Sequence, residues 1–166
     1  MRDDQKSSAP QVDLEELVAE SDFGGRQPVG FAYGILLVTA IAWSLFQLWY
    51  ASPLPFIFGF GIFNDTQARS IHLGFALFLA FTSYPAFKSS PRNRIPLIDW
   101  IFALVGAFAG AYLFLFYREL ALRPGQPTDF DLLTAGVGIL VLLEATRRSL
   151  GIPMVIVATA FITYTF

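Results

Sequence analysis

The chain has 166 residues, 55% of them hydrophobic and 14% charged, with a formal net charge of −2 and a mean hydropathy of +0.56. So few polar side chains could not cover a water-soluble domain of this size, which makes lipid the expected solvent. The near-balanced charge, divided among loops, gives no face for nucleic acid, and the absence of cysteine excludes disulfides, thiolate metal sites and cysteine nucleophiles.

In chain order, the acidic head comes first. Leu14, Leu17 and Val18 fall at i, i+3 and i+4 with acids opposite, which predicts a short amphipathic helix that docks on a partner or membrane surface, or else a solvated tail. Residues 1–29 therefore read as a cytoplasmic tail. It is polar and acidic rather than signal-like, so insertion is expected to use the first transmembrane helix. That span, Gly30 to Tyr50, is about 31 Å long as a helix, enough for a hydrocarbon core of about 30 Å. Trp49 and Tyr50 suit a headgroup-level anchor, and Ser52-Pro53-Leu54-Pro55 ends the helix. The Gly-punctuated segment 55–65 is too short to span and predicts a loop or re-entrant piece.

A second span is expected over 71–87, which Thr66 and Ala68 could extend and Tyr84-Pro85 would bend or finish, and a third over Leu97 to Tyr117, opened by Asp99 and Trp100. Thr128-Asp129 supplies N-cap chemistry for a fourth, which ends at Arg147-Arg148. A fifth apolar run starts at Ile152 and gives only about 15 residues, short of a full crossing, which suggests a portion of a longer polypeptide. The fold class is all-α and integral to the membrane: a four-helix transmembrane bundle over 30–150 plus the start of a fifth helix over 151–166. The loop cations Arg2, Lys6, Arg26, Lys88, Arg92, Arg94, Arg147 and Arg148 outnumber Arg69, Arg118 and Arg123 on the alternate side, which puts the N-terminus in the cytoplasm.

Candidate polar sites are few. His72, the only histidine, stands near Asn64, Asp65 and Arg69 in sequence and predicts an outer-interface polar cluster, with a structural hydrogen bond as its plainest role and substrate or proton handling as the alternative. Glu144 precedes Arg147 and Arg148 by three and four residues, the spacing for ion pairs on one helix face. Those pairs would fix helix depth, bind a neighbouring domain or couple to a solute. No span carries an ionisable residue at its centre, where transport sites and proton relays announce themselves. Gly106, Gly110, Ala103 and Ala107, with Gly136 and Gly138, give small-residue surfaces for close helix packing. An enzyme is not expected, because nucleophiles, metal ligands and facing carboxylates are missing, and one histidine with Met1 or Met154 badly placed makes no haem site.

The segments LEELVAESDFGGR (14–26), RSIHLGFALFLA (69–80), IDW (98–100), YRELAL with Gly125 and PTDFD (117–131), and LEATRR (143–148) together resemble the fused permeases of tripartite ATP-independent periplasmic (TRAP) transporters, in the branch served by TAXI-type binding proteins. The resemblance covers most of residues 12–166. It implies a bacterial or archaeal cytoplasmic membrane transporter, driven by an ion gradient, usually sodium, that imports organic anions such as dicarboxylates delivered by a periplasmic binding protein. Residues 30–150 resemble the small permease subunit, and 151–166 the opening of the large permease domain, which in the family holds the substrate and sodium sites. No cofactor is expected in this portion. The outer loops, with Arg118, Glu119 and Arg123, are expected to help dock the binding protein; the alternative is a stand-alone membrane scaffold or assembly protein with no transport role.

Overall fold

A computed structural model describes residues 25–87 and 90–165, so the amphipathic segment expected at 12–18 lies outside the described residues. All regular structure among them is helical: α1 (Phe31–Ala51), α2 (Leu54–Phe58), α3 (Asp65–Ser83), α4 (Leu97–Leu115), α5 (Tyr117–Leu122), α6 (Asp129–Leu150) and α7 (Ile152–Tyr164). Where the apolar stretches were expected to be helical, they are.

The boundaries differ from hydropathy where polar capping chemistry takes over. α3 starts six residues before the apolar stretch at 71, because Asn64 and Gln67 close a capping box: the Asn64 side chain accepts from the Gln67 amide at 2.8 Å and the Gln67 side chain from the Asn64 amide at 3.2 Å. It ends at Ser83 rather than Phe87, since Pro85 disfavours helix in the residue before it. The segment read as a loop after Pro53 contains one helical turn, α2, which Gly59 closes in the left-handed conformation at φ 62°. Beyond it Gly61 lies so close to the Trp49 indole that a Cβ would stand 2.9 Å from the ring nitrogen. The third span stops at Leu115 and breaks at Phe116 before α5 begins.

A second capping box, between Thr128 and Asp131, opens α6; Gly151, at φ 85°, turns the chain from α6 into α7, which packs back against α6. The centre of the bundle is the α3–α4 crossing, with α6 against both and α1 against α3. Leu77 and Phe81 of α3, Ala103 of α4, and Val141 and Ala145 of α6 form the small buried core.

Small residues set the distance between α3 and α4. A Cβ on Gly110 would come within 2.8 Å of the Gly74 backbone nitrogen, and one on Gly106 would press on Val141 and Leu77 at 3.1 and 3.2 Å. At the same crossing the Ser70 hydroxyl donates to the Gly110 carbonyl at 2.7 Å and accepts from the Phe114 amide at 3.0 Å. These are the two groups that a regular helix would join directly, so a side chain of α3 is inserted into the hydrogen-bond ladder of α4 just before its break. The small residues of α6 behave differently from expectation: Gly138 approaches Ala109, but Gly136 faces open space.

The outside of the bundle is apolar. α1 buries no residue, and Leu37, Val38, Ile41, Leu45 and Leu48 all stand exposed along it; Leu104 and Leu113 of α4 and Leu133 and Leu140 of α6 do the same. Meanwhile Arg26, Ser70, Thr82, Asp99, Asp131 and Thr134 are buried. Among the described residues two helices, α1 and α4, are long and apolar enough to cross a membrane. α3 and α6 match them in length but carry charged residues in their end turns.

Gly110→Ala should therefore destabilise the bundle by about 1–3 kcal/mol through overpacking against backbone. Gly136→Ala, with nothing to strike, should stabilise α6 by about 0.5–1 kcal/mol. Thermal unfolding of the two variants in the same detergent checks both, and equal behaviour would contradict the packing described.

Candidate functional site

At one end of the bundle a chain of charges ties four segments together. Asp99 occupies the first turn of α4, where the helix N-terminus favours an acid, and it is 1% exposed. One carboxylate oxygen takes Nη2 of Arg26; the other takes Nη1 of Arg148 at 2.7 Å. Arg26 also donates through Nη1 to the Phe81 carbonyl at 3.2 Å, one of the carbonyls left free at the end of α3, while its backbone amide donates to Ser83 at 2.7 Å. Arg148 continues the chain from Nε to Glu144 at 2.8 Å, and Glu144 takes Arg147 through two more bonds at 2.7 and 2.8 Å. Arg147 then reaches the Ala86 carbonyl beyond α3 at 3.0 Å.

Arginine suits this position because its flat guanidinium serves a carboxylate and an aromatic face at once. That of Arg148 lies 4.8 Å from the Phe81 ring centre and 5.5 Å from that of Phe102, two rings that stack on each other. The expected pairing of Glu144 with Arg147 and Arg148 is present, extended to Asp99 by Arg148. Trp100 stays outside this clamp and packs against Phe78. Both oxygens of Asp99 are engaged and its side chain is enclosed, so the arrangement fastens helices and offers no open receptor for a solute.

The opposite end has a second polar knot. Asp131 accepts from the Tyr112 hydroxyl, from Arg123 at 2.5 and 3.1 Å, and from the Thr128 amide and hydroxyl at 2.7 and 2.8 Å. The ion pair with Asp131 raises the Arg123 guanidinium above its ordinary value. Asp131 thereby joins the end of α4, the 123–128 loop and the first turn of α6. Of the residues expected in docking, Arg118 and Glu119 stand exposed on α5, whereas Arg123 is engaged by Asp131.

His72 does not join Asp65, Asn64 and Arg69 as a hydrogen-bonded cluster. It lies two turns, about 10 Å, beyond Asp65 on α3. Asp65 pairs instead with Arg69 at 3.0 Å in the open, Asn64 caps the helix, and His72 meets Trp43 and Gln47 of α1. Asp65, Arg69, His72 and Gln47 still border one shallow groove of about 260 Å³. A larger apolar groove of about 390 Å³ runs between α1, α3 and α4 over Gly74. Among the described residues no three His, Asp or Glu side chains gather as a metal site would require.

The sequence does not single out Arg26, Tyr112 or Asp131 as site residues, although the spacing of Thr128 and Asp131 is that of a capping box. Arg26 was counted only as a loop cation, and its partner lies 73 residues away. The chain matches no family model, no curated protein and no solved structure.

Asp99→Asn would leave the buried Arg26 guanidinium without a carboxylate and Arg148 with Glu144 alone, and should destabilise the chain by about 3–5 kcal/mol. Asp65→Asn, which breaks an exposed pair, should change stability by less than about 1 kcal/mol; denaturant unfolding at pH 7 separates the two.

Proposed function

We propose that the chain is a membrane scaffold, the small-permease-like portion of an ion-gradient-driven TRAP transporter, with α1, α3, α4 and α6 crossing the bilayer. The observation that carries this reading is the inverted distribution of side chains: large apolar groups outward, charged groups enclosed at the two ends. In water such a surface would be a broad aggregation-prone patch, whereas in lipid it is the favourable one. At about 1.5 Å per residue, helices of 19 to 22 residues measure about 28–33 Å, close to the thickness of the hydrocarbon core.

The end clamps fit a brace. They fix α3, α4 and α6 to one another, and between Leu132 and Leu143 of α6, or Trp100 and Leu115 of α4, no charged side chain interrupts the span. On this reading, solute and sodium sites belong to a large permease domain that begins near α7, and a periplasmic TAXI-type binding protein delivers an organic anion. The location is the bacterial or archaeal inner membrane, with the N-terminus cytoplasmic. Arg118 and Glu119, exposed on α5, remain the candidates for binding-protein contact.

Two measurements test the reading. The chain has no cysteine, so single substitutions Asn93→Cys and Gly125→Cys can be probed with an impermeant maleimide in intact cells; only the cysteine at 125 should react before lysis. In vesicles, radiolabelled succinate and glutamate should accumulate under a sodium gradient only when residues 1–166 are joined by a large permease domain and the binding protein. Accumulation by residues 1–166 alone, or labelling of both positions from outside, would overturn it.

A further inference from the structure

Among the described residues, α1 is fastened to the bundle differently from the other long helices. It buries no residue, and its side-chain hydrogen bonds to another helix converge on one atom, Nδ1 of His72 in α3. Trp43 donates to that nitrogen through its indole N–H at 3.3 Å, with its ring set edge-on to the imidazole at 5.0 Å between centres; Gln47, one turn further along α1, also reaches Nδ1. Phe46 of α1 also packs against Phe75 of α3.

The indole decides the chemistry. It can only donate, so Nδ1 must be the bare, accepting nitrogen and the ring proton must sit on Nε2. Gln47 then presents its amide NH2, not its carbonyl, to the same lone pair. We propose that His72 is a proton-controlled latch: the neutral imidazole holds α1 against α3, and protonation at Nδ1 releases it. The added proton occupies the only lone pair that both donors use. Gln47 could turn its amide to offer the carbonyl oxygen, but Trp43 has no acceptor to offer and must withdraw.

The charged and titratable groups near His72 leave that logic intact. On α3, Asp65 and Arg69 border the same groove but are paired with each other at 3.0 Å, and from α1 only the Tyr50 hydroxyl approaches the groove. Neither helix presents an acceptor already bonded to the imidazole that would reward its protonation. The latch goes beyond the scaffold reading, since it depends on two helices and one ring and holds whether or not the chain serves a transporter.

The test uses the full chain in nanodiscs, with spin labels on Leu45→Cys in α1 and Leu104→Cys in α4, both outward-facing positions. Between about pH 8 and 5, the range in which imidazole changes charge, the distance distribution should shift reversibly to longer values. His72→Gln, which can accept a hydrogen bond but does not titrate, should abolish the shift. A parent distance that ignores pH, or an equal shift in His72→Gln, would refute the latch. Because His72 is the only histidine, ring 15N resonances give a second readout independent of any variant: at pH 8 Nδ1 should be unprotonated, and its protonation should share a midpoint with the distance change. An Nδ1–H tautomer at pH 8 would also refute it.

Discussion

The arrangement turns on one enclosed carboxylate. Asp99 stands at the first turn of α4 and accepts from Arg26, which caps the end of α3, and from Arg148, which ends α6. A charge of this kind is tolerable away from water only when its partners are present and well placed, so the bundle's geometry and its electrostatics are a single condition. Removing Asp99 leaves Arg26 without a carboxylate and Arg148 with Glu144 alone. Asp131 plays the corresponding part at the other end through Tyr112, Arg123 and Thr128, and between the two knots the helices meet through small residues and the Leu77–Phe81–Val141 cluster.

That division explains how a bundle with so little buried hydrocarbon can hold one shape. Among the described residues its central buried cluster is small, Leu77, Phe81, Ala103, Val141 and Ala145. Close backbone approach at Gly74 and Gly110, the Ser70 hydroxyl inserted between Gly110 and Phe114, and the ion pairs at the ends supply contact and register instead. α1, which takes part in none of these, is the helix most free to change its contact with the rest.

The helices were legible in the sequence because apolar runs and prolines report directly on span and terminus: Ser52-Pro53 and Tyr84-Pro85 end helices where expected. Glu144 with Arg147 and Arg148 was legible for the same reason, since i, i+3 and i+4 partners share a face whatever the tertiary structure. What stayed hidden was non-local. Asp99 was readable as a helix-dipole acid but not as the partner of residues 73 positions before it and 49 after it. His72 was assigned to its neighbours in sequence, whereas helical rise carried it past them to α1. The sequence allows α3 to extend back to Thr66, and the Asn64–Gln67 capping box, which hydropathy does not register, fixes its start at Asp65. The family reading rests on the ordered motifs, and the inverted surface and end clamps are what support its scaffold assignment.

The central claim, that enclosed ion pairs at the ends weld α3, α4 and α6 into one rigid unit within lipid, is tested most directly by hydrogen exchange of the full chain in bilayer nanodiscs. The account predicts that amides at the Asp99 end of α4, the last turn of α3 and the last turn of α6 exchange slowly and open together, with one shared free energy of opening. Independent and rapid exchange of the last turn of α6, while α3 and α4 stay protected, would contradict it.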